Sequence, residues 1–322
     1  MTRSAEPAGP GRTSEKPIAF FAWFVLAFNV FVVLWGALVR ATKSGAGCGA
    51  HWPTCNGDVI PLAPTMATLI EFTHRATSGL ALLLVVALLV LILRRRPAGR
   101  LVRPWAAASM ALILSEAAIG AGLVLYKKVA EDTSLSRGLW ISGHLINTFL
   151  LLAALALTAH LVDGRRSATS SRPLDVLRST FAVQDTRRWL GFAIIALIAT
   201  GVSGAIAALG DTLFKVESLR DALVQDVAET SHLFIRLRVF HPVIAIVGGL
   251  IALALTYRSA VALSASRGRT WARVVSGLVV FQWILGLTNL LLLAPTALQL
   301  AHLLVADLIW ISLILFAAGE PD

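Results

Sequence analysis

The sequence predicts an all-α integral membrane protein whose eight transmembrane helices form two tandem four-helix bundles. Three observations lead there. Of the 322 residues, 57% are hydrophobic and 14% charged, and mean hydropathy is +0.77. Eight apolar runs of about twenty residues follow one another, each long enough to cross a hydrocarbon core as a helix. Sparse polar features then recur in the same order in both halves of the chain. Strands are disfavoured because an open sheet edge leaves backbone groups unsatisfied in lipid.

The spans are read at approximately 18–39, 72–93, 104–125, 139–161, 189–209, 239–257, 274–293 and 297–318. Residues 1–17 are polar and rich in Pro and Gly, and read as a disordered cytoplasmic tail. No cleavable signal peptide is expected, because the first apolar run is long enough to span and lacks a small-residue cleavage site. The basic, Ser-rich stretch 163–188 reads as a cytoplasmic linker between an N-terminal half, 18–162, and a C-terminal half, 189–318. With the N-terminus placed inside, 18 of the 28 Lys and Arg fall on inner segments and 10 on outer ones. That bias predicts a multi-pass protein of the cell membrane with both termini cytoplasmic. The net charge of +10 is then a topology signal, and no nucleic-acid partner is expected.

Span one ends in Gly36-Ala37-Leu38 and runs into a distinctive outer segment that contains Cys48, His51 and Cys55. These are the only two cysteines, with six residues between them, on the oxidising side of the membrane. A disulfide is expected there. It is either a staple for an exposed loop or a redox-active pair that passes electrons. A metal site is disfavoured because Cys48, His51 and Cys55 lack an obvious fourth ligand.

Span two opens on Glu71-Phe72-Thr73-His74-Arg75. Glu71 and His74 are three residues apart and share a helix face. The carboxylate suits a base or a stabiliser of positive charge; the plainer reading is an acid favoured near a helix N-terminus. Span three carries Glu116 four residues before Gly120, and span four opens near His144.

In the second half, Gly204-Ala205-Ile206 of span five repeats the span-one element. Span six begins Arg238-Val239-Phe240-His241-Pro242, so Arg238 stands where Glu71 stands in span two. It is either a partner for a haem propionate or a snorkelling interfacial cation. Span seven has Gln282 four residues before Gly286, and span eight has His302-Leu303-Leu304, which mirrors His144-Leu145-Ile146. Glu116 and Asp307 are intramembrane acids that either bond to neighbouring helices or relay protons.

His74, His144, His241 and His302 thus open the even-numbered spans, which all run in the same direction. All four imidazoles are expected near one membrane face, two per half. Ionisable groups inside spans are functional-site candidates. Two pairs in two bundle cores fit two sets of axial haem-iron ligands. His51, His160 and His232 lie off that common depth and are not expected to bind iron.

The outer-loop run from Gly36 through Gly57, the Glu71-Phe72-Thr73-His74-Arg75 opening, and His144, His241 and His302 resemble the haem A synthase family over roughly 18–318. The resemblance implies an oxidoreductase that converts the C8 methyl of haem O to a formyl group through two hydroxylations and a dehydration. Its product, haem A, serves cytochrome oxidase biogenesis. It implies that His241 and His302 ligate a haem b cofactor, and that His74 and His144 flank the substrate haem with Glu71 as catalytic carboxylate. Cys48 and Cys55 would match a loop disulfide found in some members. Implied partners are a haem O synthase (a farnesyltransferase), cytochrome oxidase assembly factors and membrane lipid. The chain departs from the family pattern at His51, where an acid is common, and at Glu116, where Gln is more usual.

The expected chemistry is oxidation at the ring methyl followed by addition of water, with Glu71 taking a proton in an apolar pocket. Three rivals use parts of the same pattern. A b561-type di-haem electron carrier would split its histidines between both faces. A haem exporter or chaperone has no need of Glu71 or the cysteines. An ion transporter would leave the histidine pattern unexplained.

Overall fold

The computed structural model describes residues 12–95, 102–163, 184–262 and 266–318. Most of the expected tail and linker, at 1–11 and 164–183, lies outside the described residues. The first half comprises α1 (Arg12–Ala41), α2 (Met66–Arg95), α3 (Val102–Leu125) and α4 (Leu135–Val162). The second comprises α5 (Gln184–Leu213), two short outer helices α6 (Leu219–Val227) and α7 (Leu233–Arg238), then α8 (Phe240–Ala262), α9 (Ser266–Leu291) and α10 (Thr296–Ala318). Eight stretches among them are long and apolar enough to cross a membrane, and the described residues contain no strand.

The helices outrun the apolar segments. Helix α1 begins at Arg12, so residues 12–17 are helical rather than part of the tail, with Pro17 inside the helix. Helix α2 starts at Met66 rather than 72, which places His74 in its third turn. A helix satisfies its backbone internally, so its ends are set by caps and turns and not by where hydrophobicity stops. Ser134 caps α4 by accepting the N–H of Arg137. The sixth span is broken: α7 ends at Arg238, and α8 starts at Phe240 with Pro242 in its first turn, where a missing N–H costs nothing.

Both hairpins that lead into the most enclosed helices close alike. Lys127 (φ 54°) follows α3, with Lys128 N–H bonded to Leu123 O at 2.7 Å. Leu293 and Ala294 (φ 59° and 54°) follow α9, with Ala294 N–H bonded to Asn289 O at 2.7 Å. Each is a left-handed C-terminal cap of the Schellman kind, so the tandem repeat extends into the backbone.

In the first half α1 packs on α2 and α4, and α3 packs on both of these. In the second half α5 packs on α8, α8 on α9, and α9 on α10. The halves meet where α4 contacts α5 and α10, and where α10 contacts α1. Trp310 of α10 stacks on Phe149 of α4 at 4.9 Å and donates its indole N–H to Phe149 O at 2.7 Å. These seam helices, α4 and α10, are the most enclosed of the eight and carry His144 and His302. Arg40 adds a polar tie across the seam. Its guanidinium donates to Ala208 O (2.6 Å) and Thr212 Oγ1 (2.8 Å) on α5, and to Gln299 Oε1 (2.9 Å) on α10.

Candidate haem-ligand sites and the disulfide loop

Glycine seats the histidines. A Cβ built on Gly36 of α1 would fall 3.0 Å from His74 Cε1 of α2. One on Gly204 of α5 would fall 3.0 Å from His241 Cε1 of α8, and one on Gly286 of α9 would fall 3.0 Å from His302 Cε1 of α10. Three rings therefore lie flush against helix backbone, which only a residue without a side chain permits. The fourth equivalent differs, because Gly120 of α3 has nothing within 4 Å. An apolar groove lined by Ile119, Leu139, Trp140 and Gly143 opens beside His144.

His241 and His302 face one another with ring centroids 6.4 Å apart and planes at 86°. His241 Nδ1 is 3.0 Å from Ser203 Oγ, which leaves Nε2 as its free ring nitrogen. Gln282 donates its amide to His302 O at 3.0 Å and lies 3.2 Å from His302 Nε2, while His302 Nδ1 is buried without a partner. In the first half the Nδ1 atom of His74 is also buried without a hydrogen bond. His144 Nδ1 lies 3.1 Å from Glu116 Oε1, in ion-pair range, which leaves Nε2 as its free ring nitrogen.

Buried polar atoms without partners are costly, so this arrangement suits a ligand that the rings themselves bind. An imidazole nitrogen holds a transition metal at about 2 Å, so two rings on opposite sides of one ion have centroids roughly 6 Å apart. Two imidazoles alone do not complete a protein-only metal site. They fit a metal that arrives in a macrocycle and needs only axial ligands. The His241–His302 pair, at 6.4 Å, therefore fits haem.

Helix α2 joins the first site to the outer loop. Cys48 and Cys55 are disulfide-bonded, and both are buried. Glu71, 3% exposed, accepts the Cys48 N–H at Oε2 (2.8 Å) and Arg75 Nη2 at Oε1 (2.5 Å). Arg75 Nη1 donates to His51 O (2.6 Å) and Thr54 O (2.7 Å). Thr68 Oγ1 donates to Gly47 O at 2.9 Å, and a Cβ on Gly47 would collide with Ala67 O. The loop thus lies directly on the first turns of α2, and Glu71 is fixed by it rather than left free.

Arg238 is differently placed from its sequence equivalent. Its Nε donates to Asp226 Oδ1 at 2.7 Å and its Nη1 to Asp211 Oδ1 at 3.1 Å. The guanidinium thereby clasps α5 and α6. Glu116 bonds to the neighbouring helix: Asn147 Nδ2 and Thr148 Oγ1 both donate to it. Asp307 is fully buried, and neither of its carboxylate oxygens has a partner. His51 is exposed in the loop, and His232 caps α7 and stacks on Phe214 at 4.9 Å.

Ser203, Asn147, Thr148 and Arg40 are site-shaping residues that sequence reading does not single out. Ser203 precedes the repeated Gly204, yet its counterpart beside Gly36 is Trp35, so the repeat gives no signal for it. Asn147 and Thr148 follow His144 by three and four residues, a helix-face spacing that points toward them only once Glu116 is known to lie opposite.

A family model described as Cytochrome oxidase assembly protein (COX15-CtaA) matches residues 19–314. A protein named Protoheme IX farnesyltransferase from Thermus thermophilus is 45% identical over 305 residues, covering 95% of this chain and 48% of that protein. A Heme A synthase of an Exiguobacterium species is 33% identical over 152 residues, 47% of this chain and 48% of that protein. A Heme A synthase of Halalkalibacterium halodurans is 38% identical over 142 residues, 44% of this chain and 47% of that protein. The chain spans about half the length of the curated relatives it matches.

Proposed function

The chain belongs to the COX15-CtaA family of cytochrome oxidase assembly proteins, and from that premise we propose that it is a haem A synthase. It takes haem O as substrate and oxidises the C8 methyl to a formyl group through successive hydroxylations. The observation that carries the proposal is the glycine-seated histidine set, above all the 6.4 Å His241–His302 pair. We assign haem b to His241 and His302, and substrate haem to His74 and His144. When bound, haem b supplies a one-electron relay.

The chain's own residues do the rest. The apolar groove beside His144 suits a substrate that enters and leaves. At the second site both rings are seated on glycine, His241 on Gly204 and His302 on Gly286, as suits a resident group. Each Glu71 oxygen accepts one fixed donor and keeps a second lone pair. Glu71 is the base placed to take the proton released when water adds to the already oxidised methyl carbon. Arg75 holds it in place. Arg238 already has Asp211 and Asp226, so a propionate there would have to compete with two carboxylates. The active orientation has both termini in the cytoplasm and the disulfide loop outside.

The farnesyltransferase name belongs to a protein of which only 48% aligns with this chain. It supports a functional neighbour for this chain: a farnesyltransferase that makes haem O and hands it on. Cytochrome oxidase assembly factors would receive the product.

The deciding test is acid-acetone extraction and chromatography of haems from cells that express this chain with a haem O source. Haem A, or its hydroxylated precursor, is expected only when the chain is present. Bis-histidine spectra with unmodified haem b and haem O would make the protein an electron carrier or haem-handling protein. Prenylated haem formed from protohaem and farnesyl diphosphate would assign it the transferase activity instead.

A further inference from the structure

The two halves place different groups behind equivalent histidines. Glu116 stands four residues before Gly120 on α3, and Gln282 stands four before Gly286 on α9. Each reaches the histidine of the next helix. Glu116 Oε1 is 3.1 Å from His144 Nδ1, and Gln282 Nε2 is 3.2 Å from His302 Nε2 and donates to His302 O at 3.0 Å.

The Glu116 carboxylate is held as an acceptor. Asn147 Nδ2 donates to Oε2 and Thr148 Oγ1 donates to Oε1. Asn147 is itself fixed, donating to Leu112 O at 2.9 Å and accepting from Ser115 Oγ at 2.6 Å. Thr148 lies one turn beyond His144 on the same helix. A carboxyl group that receives hydrogen bonds on both oxygens is arranged in its acceptor-only, anionic form. Gln282 is a neutral amide that presents hydrogens, not a negative charge, to His302.

We propose that Glu116 is a positioning residue that makes His144 the more strongly electron-donating axial ligand, lowering the reduction potential of an iron held at His74 and His144. The inference rests on the reading above that each histidine pair holds a haem. The physical reason is general. A ligating imidazole whose second nitrogen faces a carboxylate becomes more basic, and a more basic axial ligand favours the ferric over the ferrous ion. A negative charge in the low-dielectric core of a bundle acts more strongly than the same charge in water. At the second site the amide supplies no such charge. Were irons held at both pairs, an electron shared between them would therefore favour the one at His241 and His302, the other being oxidised as it is reduced, with nothing else consumed.

The test exchanges the two groups without changing their shape. Full-length haem-loaded protein is titrated potentiometrically by optical absorption in wild type, Glu116→Gln and Gln282→Glu. Glu116→Gln is expected to raise the potential of one haem only, so that its Fe(II) to Fe(III) ratio at a fixed solution potential rises about tenfold, the change that about 59 mV makes in a one-electron couple. Gln282→Glu is expected to move the other haem by a similar factor in the opposite direction. Where Glu116→Gln loses its haem, the Gln282→Glu shift decides. Both haems present in both variants, with titrations within about twofold of wild type, would overturn the inference while leaving the haem assignment intact. A His144→Ala protein with unchanged haem content would overturn the assignment, and the inference with it.

Discussion

Glu71 accepts the backbone N–H of Cys48 at 2.8 Å, so the carboxylate one helical turn from His74 is tied directly to the disulfide-bonded loop. Its other oxygen holds Arg75, and Arg75 holds the loop again through His51 O and Thr54 O. Loop and ion pair are thus one hydrogen-bonded unit, and changes to each are separable by experiment.

Glu71→Gln keeps an acceptor for Cys48 N–H but removes the base. Formation of oxidised haem should fall on the order of a hundredfold or more, the usual contribution of a positioned base, with haem content unchanged. Glu71→Ala strands a nearly buried Arg75 guanidinium and should cost stability as well, about 3 kcal/mol. Haem extraction and thermal unfolding, measured on both variants, check the split. Normal haem A output from Glu71→Gln would remove the assigned role.

Replacing Cys48 and Cys55 together by Ser opens a short loop, with an expected loss of about 2 kcal/mol. Glu71 and Arg75 continue to bind the loop backbone, so turnover per folded molecule should hold if the bond is a staple. A turnover loss with unchanged stability would instead make the cysteines an electron path. Activity normalised to folded protein distinguishes the two.

Gly36→Ala, Gly204→Ala and Gly286→Ala each put a methyl group 3.0 Å from an imidazole carbon and should displace that ring by a few tenths of an ångström. Each is expected to lower haem retention at its own site. Gly120→Ala, with nothing within 4 Å, should retain haem as wild type does. Haem stoichiometry of the four purified variants tests the series; equal loss in all four would mean that seating is not what matters.

Arg40→Ala removes three hydrogen bonds that tie α1 to α5 and α10. A loss on the order of 2 kcal/mol is expected for a half-buried charged donor. Arg40→Lys keeps the charge but not the forked geometry, and should fall between. Thermal unfolding in detergent orders the three proteins, and an unchanged midpoint in Arg40→Ala would show that apolar packing alone holds the seam.

The sequence by itself determined the class of fold and the approximate spans, and it singled out the repeat and the four histidines as candidates. Hydrophobicity over twenty residues and polar groups in lipid are local signals, and lipid makes both costly to violate. The sequence also picked out Cys48 and Cys55, because an isolated pair on the oxidising side has an obvious fate. Tertiary structure alone decided what each polar residue faces. Glu71 and Arg238 occupy equivalent positions, yet one binds the loop backbone and the other two aspartates, Asp211 at the end of α5 and Asp226 on the outer helix α6. Glu116 was legible as an intramembrane acid but not as the neighbour of His144, and Ser203 was not legible at all. A side chain's partner depends on how helices are rotated against each other, and packing of whole apolar faces, not any short motif, sets that rotation.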